Sequence, residues 1–247
     1  MKKTLLVAAV ALSALFAGSA AMAGDFSYNI GVQNDYVWRG VSQNNDGSAL
    51  QGGVDYKKGT FYAGTWLSNV DFAGTGNTHA NTEWDLYAGV TPTVGNWTFN
   101  FGVYYYTYPN AKGVTFGELQ TDVSHPIGKG TIGVNMFTPI DTLERPYTEI
   151  AISYPLTDKL SISGALGDCE GDSASAKESH CNGVNATNLL AAGIHGNGYT
   201  TWNAGLTYAL TPNLGLDVRY SENSANARAV NGSLAAPKVY ATLKASF

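Results

Sequence analysis

The chain has 247 residues, 44% of them hydrophobic, 12% aromatic and only 13% charged, with 29 glycines and a formal net charge of −5. The negative charge argues against nucleic acid as a partner. Beyond the N-terminal leader no apolar run approaches the roughly 20 residues of a spanning helix, so a membrane role leaves a closed β-barrel as the available architecture.

Residues 1–23 read as a secretory signal peptide. Lys2 and Lys3 supply a positive start, residues 5–16 an apolar stretch too short for a good spanning helix, and Ala21-Met22-Ala23 a small-residue cleavage site. The expected domain is therefore residues 24–247, exported to the outer membrane of a bacterium. Gly24, not a cysteine, stands directly after the cleavage site, so a lipid anchor is not expected.

Residues 26–39 set the pattern. Phe26, Tyr28, Ile30, Val32, Tyr36 and Trp38 fall on one face, with Asn34 their only polar companion. Ser27, Asn29, Gly31, Gln33, Asp35 and Arg39 fall on the other. Such alternation predicts a strand with one apolar and one wet face. At about 3.3 Å per residue and a tilt of about 40°, it rises roughly 30 Å, enough to bracket an apolar band about 25 Å tall.

The pattern recurs along the chain. It is carried by Leu50 to Tyr56, Phe61 to Leu67, Trp84 to Val90, Trp97 to Tyr105 and Leu119 to Val123. Ile132 to Met136, Ile150 to Tyr154, Leu160 to Leu166, Trp202 to Leu210, Leu214 to Tyr220 and Val239 to Phe247 complete the set. The expected fold class is all-β, a transmembrane antiparallel β-barrel of about twelve strands. Closure requires the first strand (26–39) to pair with the last (238–247).

Connection lengths agree. Tight turns at 57–59, 95–96, 128–130, 157–159 and 211–213 alternate with longer links at 40–47, 71–80, 109–115, 140–145, 168–198 and 223–236. Short periplasmic turns and long external loops are the outer-membrane arrangement, and an even strand count returns both termini to the periplasm. The 8 prolines fall in links or near strand ends, as expected of residues that cannot donate to a ladder. The last strand alternates and ends on Phe247, which resembles the signal read by barrel-assembly machinery. That machinery, outer-membrane lipids and small polar solutes are the expected partners.

Residues 31–43 (GVQNDYVWRGVSQ), followed by Gly53-Val-Asp-Tyr56 and residues 61–70 (FYAGTWLSNV), resemble the TorF-type family of porin-like proteobacterial outer-membrane proteins. The matching segments cover the first two or three strands. The resemblance implies an outer-membrane barrel and a pore; it supplies no substrate and no catalytic residues.

The wet face carries Asp35, Asp55, Glu83, Asp85, Glu118, Asp122, Glu149 and Asp217, with Arg39, Lys57, Arg219, Lys238 and Lys244. A mid-membrane charge facing lipid costs about 2–4 kcal/mol for Arg or Lys, so these side chains are expected to line the lumen. The functional reading is a pore for small polar solutes, weakly cation-preferring because acids outnumber bases. Asp35 and Glu149 are the leading candidates, since both sit in well-patterned strands. The rival reading of the same charges is an ion-pair network that plugs the barrel, giving a non-conducting structural or adhesive protein.

Cys169 and Cys181 are the only cysteines. In an exported chain they are expected to form a disulfide stapling the longest external loop. His180, with Cys169 or His195, is too loose a set for a metal site, and no cofactor is expected. An outer-membrane hydrolase would need a Ser–His pair. His79, His125, His180 and His195 are the histidines, and His125 with Ser124 is the one such pair on a predicted strand. Adjacent strand residues point to opposite faces, so no enzyme is expected.

Overall fold

The computed structural model describes residues 26–72, 80–109, 111, 113–170, 181–182, 188, 191–193, 195 and 198–247. The leader, His79 and His180 lie outside the described residues.

Twelve antiparallel strands close into a barrel. In chain order they begin with β1 (Phe26–Gln33), β4 (Ala49–Lys58), β5 (Phe61–Asn69), β6 (Thr82–Val90), β8 (Trp97–Thr107) and β9 (Phe116–Ile127). They continue with β10 (Gly130–Pro139), β11 (Tyr147–Pro155), β12 (Leu160–Glu170), β13 (Gly198–Thr211), β14 (Leu214–Asn223) and β15 (Lys238–Ser246). Three two-residue strands complete the set: β2 (Val37–Trp38), β3 (Val41–Ser42) and β7 (Thr93–Val94). Each barrel strand pairs with its neighbours in sequence, and β1 closes the ring on β15. Asn29 lies opposite Ser246 and Gln33 opposite Thr242. Tyr28 and Phe247 exchange both backbone hydrogen bonds at 2.9 Å, so the last residue of the chain carries the seam past the end of β15.

Alternation decides which side faces out. Phe26, Tyr28, Ile30 and Val32 of β1 are exposed, as are Trp84 and Leu86 of β6, Ile150 and Ile152 of β11, and Trp202 and Leu206 of β13. Aromatics gather at both rims. Phe61, Trp97, Tyr208 and Phe247 stand near the short-turn end, and Trp84, Tyr105 and Trp202 near the long-loop end. This is the banded exterior of a barrel in lipid. Of the prolines, Pro126, Pro139 and Pro155 occupy the last or next-to-last positions of their strands, and the rest lie outside strands.

The first strand is shorter than the alternation suggested. It ends at Gln33, and residues 34–48 turn inward. Arg39 and Gly40 both have positive φ, 48° and 78°. They form the two-residue turn of a hairpin in which Val37 faces Ser42 and Trp38 faces Val41. Two positive-φ residues are what such a turn demands. Tyr36 and Trp38 therefore face an interior and not lipid. Tyr36 packs against Trp66 at 5.5 Å and Trp38 against Tyr106 at 6.1 Å. The link after β14 is also structured, as helix α1 (Ala225–Asn231) and a 3-10 turn (Gly232–Ala235), with Ala227 and Ala235 fully buried.

The outer face yields a direct test. Leu206 sits near the middle of β13, facing out opposite Ile162 and Val218. Leu206→Arg is expected to destabilise the barrel by about 2–4 kcal/mol in vesicles, measured by urea unfolding followed through tryptophan fluorescence. An unchanged midpoint would place β13 in the wrong register.

Candidate functional site

The inward face of the barrel is polar, and most of its acids lie apart from its bases, Lys57 (β4) being a base on the acidic side. Asp55 (β4), Glu83 and Asp85 (β6), Glu118 and Asp122 (β9) and Glu149 (β11) lie along one arc of neighbouring strands. Arg219 (β14) and Lys238 and Lys244 (β15) lie on the opposite arc. Asp217 is the acid of that second arc, and it pairs with Arg219 at 3.1 Å. Arg219 also donates to Asn203 Oδ1 at 2.7 Å and Ser163 Oγ at 2.8 Å, so this cation is held by three strands at once.

The hairpin of residues 37–42 bridges the two sides. The guanidinium of Arg39 meets Glu118 in a two-pronged pair, both bonds 2.8 Å. Glu118 is fully buried and also accepts from the Tyr106 hydroxyl at 3.1 Å. Three aromatic faces surround the guanidinium: Trp38 at 4.1 Å, Tyr147 at 4.4 Å and Phe137 at 5.2 Å. Such faces attract a cation, and the planar fork matches a carboxylate. Burial alone lowers the pKa of Arg39, but the Glu118 charge more than offsets this and raises it above the ordinary value. Arg39 therefore stays charged.

The other wall holds the backbone of the same turn. The Tyr199 hydroxyl donates to Arg39 O at 2.9 Å, and Asn223 Nδ2 donates to Gly40 O at 2.5 Å. A side chain at Gly40 would collide with Asn223 and Thr201, so close approach as well as φ requires glycine there.

The disulfide serves this hairpin. Cys169 and Cys181 are bonded, but Cys169 is on β12 and both sulfurs are fully buried beside Val41, Phe137, Tyr147 and Tyr199. The bond thus fastens the loop to the barrel wall, whereas spacing alone suggested a staple within the loop. It places Asn182 over the hairpin. Asn182 Nδ2 donates to the Tyr199 hydroxyl at 2.9 Å and toward Trp38 O at 3.4 Å. Its Oδ1 accepts from Gln43 at 2.9 Å and its carbonyl from Asn231 at 3.1 Å.

The remaining sequence candidates fall as follows. Asp35 is not on a membrane-spanning strand. It lies at the neck of the hairpin, accepting from Ser42 at 2.6 Å and pairing with Lys238 at 3.1 Å. Lys238 pairs as well with Asp46 at 2.6 Å. Asp55 accepts from Tyr87 at 2.6 Å, and Glu83 from Tyr36 at 3.3 Å. Glu149 accepts from Tyr147 at 2.7 Å and Asn135 at 3.3 Å. Lys244 is half-buried, opposite Gly31 and Gly215. His125 packs on Trp97 with ring centres 4.5 Å apart, and its Nδ1 lies 2.8 Å from Pro126 O.

Several contributors were absent from the charge-based expectation. Asn100, Gln120 and Asn135 face inward and are buried. The same parity count that placed the charges would have found them. Asn182 carried no such signal, since it lies in a loop.

An apolar exterior, a charged interior and a closed antiparallel meander of twelve strands define a porin-like barrel of the outer-membrane type. The chain belongs to the Gcw_chp family, described as bacterial proteins of unknown function, which it matches over residues 17–247. Among solved structures, it is similar to the KdgM porin, with a TM-score of 0.58, 8% identity, and coverage of 90% of this chain and 98% of that one. It is also similar to the NanC porin, with a TM-score of 0.52, 11% identity and the same 90% and 98% coverage. At these identities the likeness establishes the fold. No curated protein matches the chain.

Two outcomes test the bridge. Arg39→Ala leaves Glu118 buried without its cationic partner and is expected to cost about 3–5 kcal/mol, while replacing both residues by methionine recovers most of the loss. Equal unfolding midpoints for Arg39→Ala and the parent would refute the pairing. Thiol labelling without reductant is expected to fail at both Cys169 and Cys181; labelling of both would refute the bond.

Proposed function

We propose that this protein is an outer-membrane channel for passive diffusion of small polar solutes, with a weak preference for cations. The observation that carries the reading is the lumen itself: strand after strand turns its charged and amide side chains inward while exposing apolar ones. An impermeable barrel needs only a packed interior; here the interior is a long arc of carboxylates. The porin fold of its structural relatives supports the reading, and so does the TorF-type resemblance of residues 31–70. In this reading the leader exports the chain and the assembly machinery reads the strand ending at Phe247. The short turns and both termini face the periplasm.

The weakness of the preference follows from pairing. Glu118 is neutralised by Arg39, Asp217 by Arg219 and Asp35 by Lys238. Asp55, Glu83, Asp85, Asp122 and Glu149 make no salt bridge among the described residues, and Lys57 and Lys244 oppose them. Carboxylates in a narrow lumen favour cations, most at low salt where screening is least.

One observation favours the second reading, a non-conducting structural or adhesive barrel. The Arg39 hairpin crosses the lumen and is held on both sides. Purified protein in a planar bilayer separates the two. Discrete conductance steps are expected, with reversal potentials across a salt gradient showing cation preference. Glu149→Gln and Asp35→Asn each remove one carboxylate, Asp35→Asn leaving Lys238 paired with Asp46 alone of its two acids; both are expected to shift the reversal potential toward anions. Anion preference in the parent, or no shift in either variant, would overturn the assignment of these residues. Absence of any current would favour the structural barrel.

A further inference from the structure

Gln120, Asp122, Asn135 and Glu149 form one continuous inward patch on β9, β10 and β11. Asp122 lies directly opposite Asn135, and Asn135 directly opposite Glu149. Side chains in such positions start about 4.5–5.5 Å apart. Gln120 is two residues from Asp122 on the same face of β9 and donates to its Oδ2 at 2.6 Å.

These bonds orient the patch. Gln120 spends its amide nitrogen on Asp122, so its Oε1 turns away from that carboxylate. Asn135 spends its own on Glu149, so its Oδ1 turns away from Glu149. Asp122 Oδ2 accepts from Gln120 and from Asn100 at 2.9 Å. Gln120 Oε1, Asp122 Oδ1 and Asn135 Oδ1 have no hydrogen-bond partner among the described residues. Gln120 and Asn135 are each 1% exposed and Asp122 7%, so these are buried oxygens of the kind that cost stability when left unmet. Asp122 Oδ1 and Asn135 Oδ1 belong to residues directly opposite each other, with the Glu149 carboxyl adjoining, while Gln120 Oε1 lies beside Gly102 of β8. What fits is a positive group rich in donors. A primary ammonium carries three N–H donors and no acceptor.

We propose that Asp122 and Asn135 form a lumenal subsite for the primary ammonium group of an organic cation, with Gln120 holding Asp122 and Glu149 holding Asn135 in place. The proposal deepens the channel reading and rests on a lumen that admits solutes.

The test uses the full barrel, labelled with nitrogen-15, in detergent micelles. The side-chain amide resonances of Gln120 and Asn135 are followed during titration with methylammonium chloride. Saturable shifts are expected. Tetramethylammonium, which has the charge but no N–H donor, is expected to give none. Asp122→Asn, nearly unchanged in shape, is expected to weaken the apparent affinity about tenfold. Asn135→Ala serves as a second variant with the same expected direction, so the proposal does not hang on one substitution folding. Equal shifts with tetramethylammonium would reduce the site to diffuse charge attraction and overturn it. Equal saturation by potassium would make it an alkali-ion site and likewise overturn it. Bilayer currents separate this from the channel reading. Current without saturable shifts sinks the subsite alone; saturable shifts without current sink the channel reading and leave the subsite standing.

Discussion

The constraint on which everything else depends is backbone hydrogen bonding at the β1–β15 seam. In hydrocarbon each unmet N–H or C=O costs several kcal/mol, so a sheet that crosses lipid cannot keep an edge. The seam runs from Gln33 opposite Thr242 to the mutual bonds of Tyr28 and Phe247. Once it closes, each strand is committed to one face in lipid and one in the lumen. A one-residue slip would turn Ile30 and Val32 inward and Gly31 and Gln33 outward. Register, side-chain partition and interior chemistry are therefore one decision made at one seam.

That commitment creates the problem the hairpin solves. Inward faces with Glu83, Asp85, Glu118, Asp122 and Glu149 on neighbouring strands bring like charges together in a confined space. Residues 34–48 place Arg39 against Glu118, with three aromatic rings around the guanidinium. A buried pair of this kind gains little over a well-packed apolar substitute, because both ions lose their water. Its value lies in position. Arg39 is the one cation of the hairpin, its planar fork matches the Glu118 carboxylate, and the turn with two positive φ angles presents its carbonyls to Tyr199 and Asn223. The bond between Cys169 and Cys181 then fixes Asn182 over the same turn, so the hairpin is held by side chain, backbone and covering loop together.

The barrel was legible in the sequence because period-two patterning reports a two-faced environment directly, and the order of short and long links reports the meander. Parity puts Glu83, Asp85, Glu118, Asp122 and Glu149 on the face opposite the exposed apolar side chains, and all five are buried. Residues 34–39 misled because parity does not say which side is lipid. Tyr36 and Trp38 continue the apolar alternation of β1, but their partners are Trp66 and Tyr106 inside the barrel. The cue was Arg39-Gly40, a pair able to take the left-handed conformation, placed where a spanning strand would have needed extended backbone. The disulfide was legible as a pair and not as an anchor, because spacing within a loop cannot tell that Cys169 still belongs to β12.

The segregation of charge has a consequence that total charge does not capture. Pairing removes Glu118, Asp217 and Asp35 from the balance, along with Arg39, Arg219 and Lys238. Five acids from β4 to β11 make no salt bridge among the described residues, with Lys57 on β4 among them and Lys244 on β15 across from them. Opposite charges separated across a low-dielectric space generate a field directed from wall to wall, and the walls concentrate it. In the channel reading, a cation in such a lumen would be drawn toward the acidic arc that includes β9–β11. The same side of the barrel holds the oriented, unmet oxygens of Asp122 and Asn135. Charge attracts without regard to the shape of the cation; these oxygens reward only one that can donate hydrogen bonds. Selectivity in this barrel would thus have two layers, a field that gathers cations to one wall and a small set of acceptors that distinguishes among them.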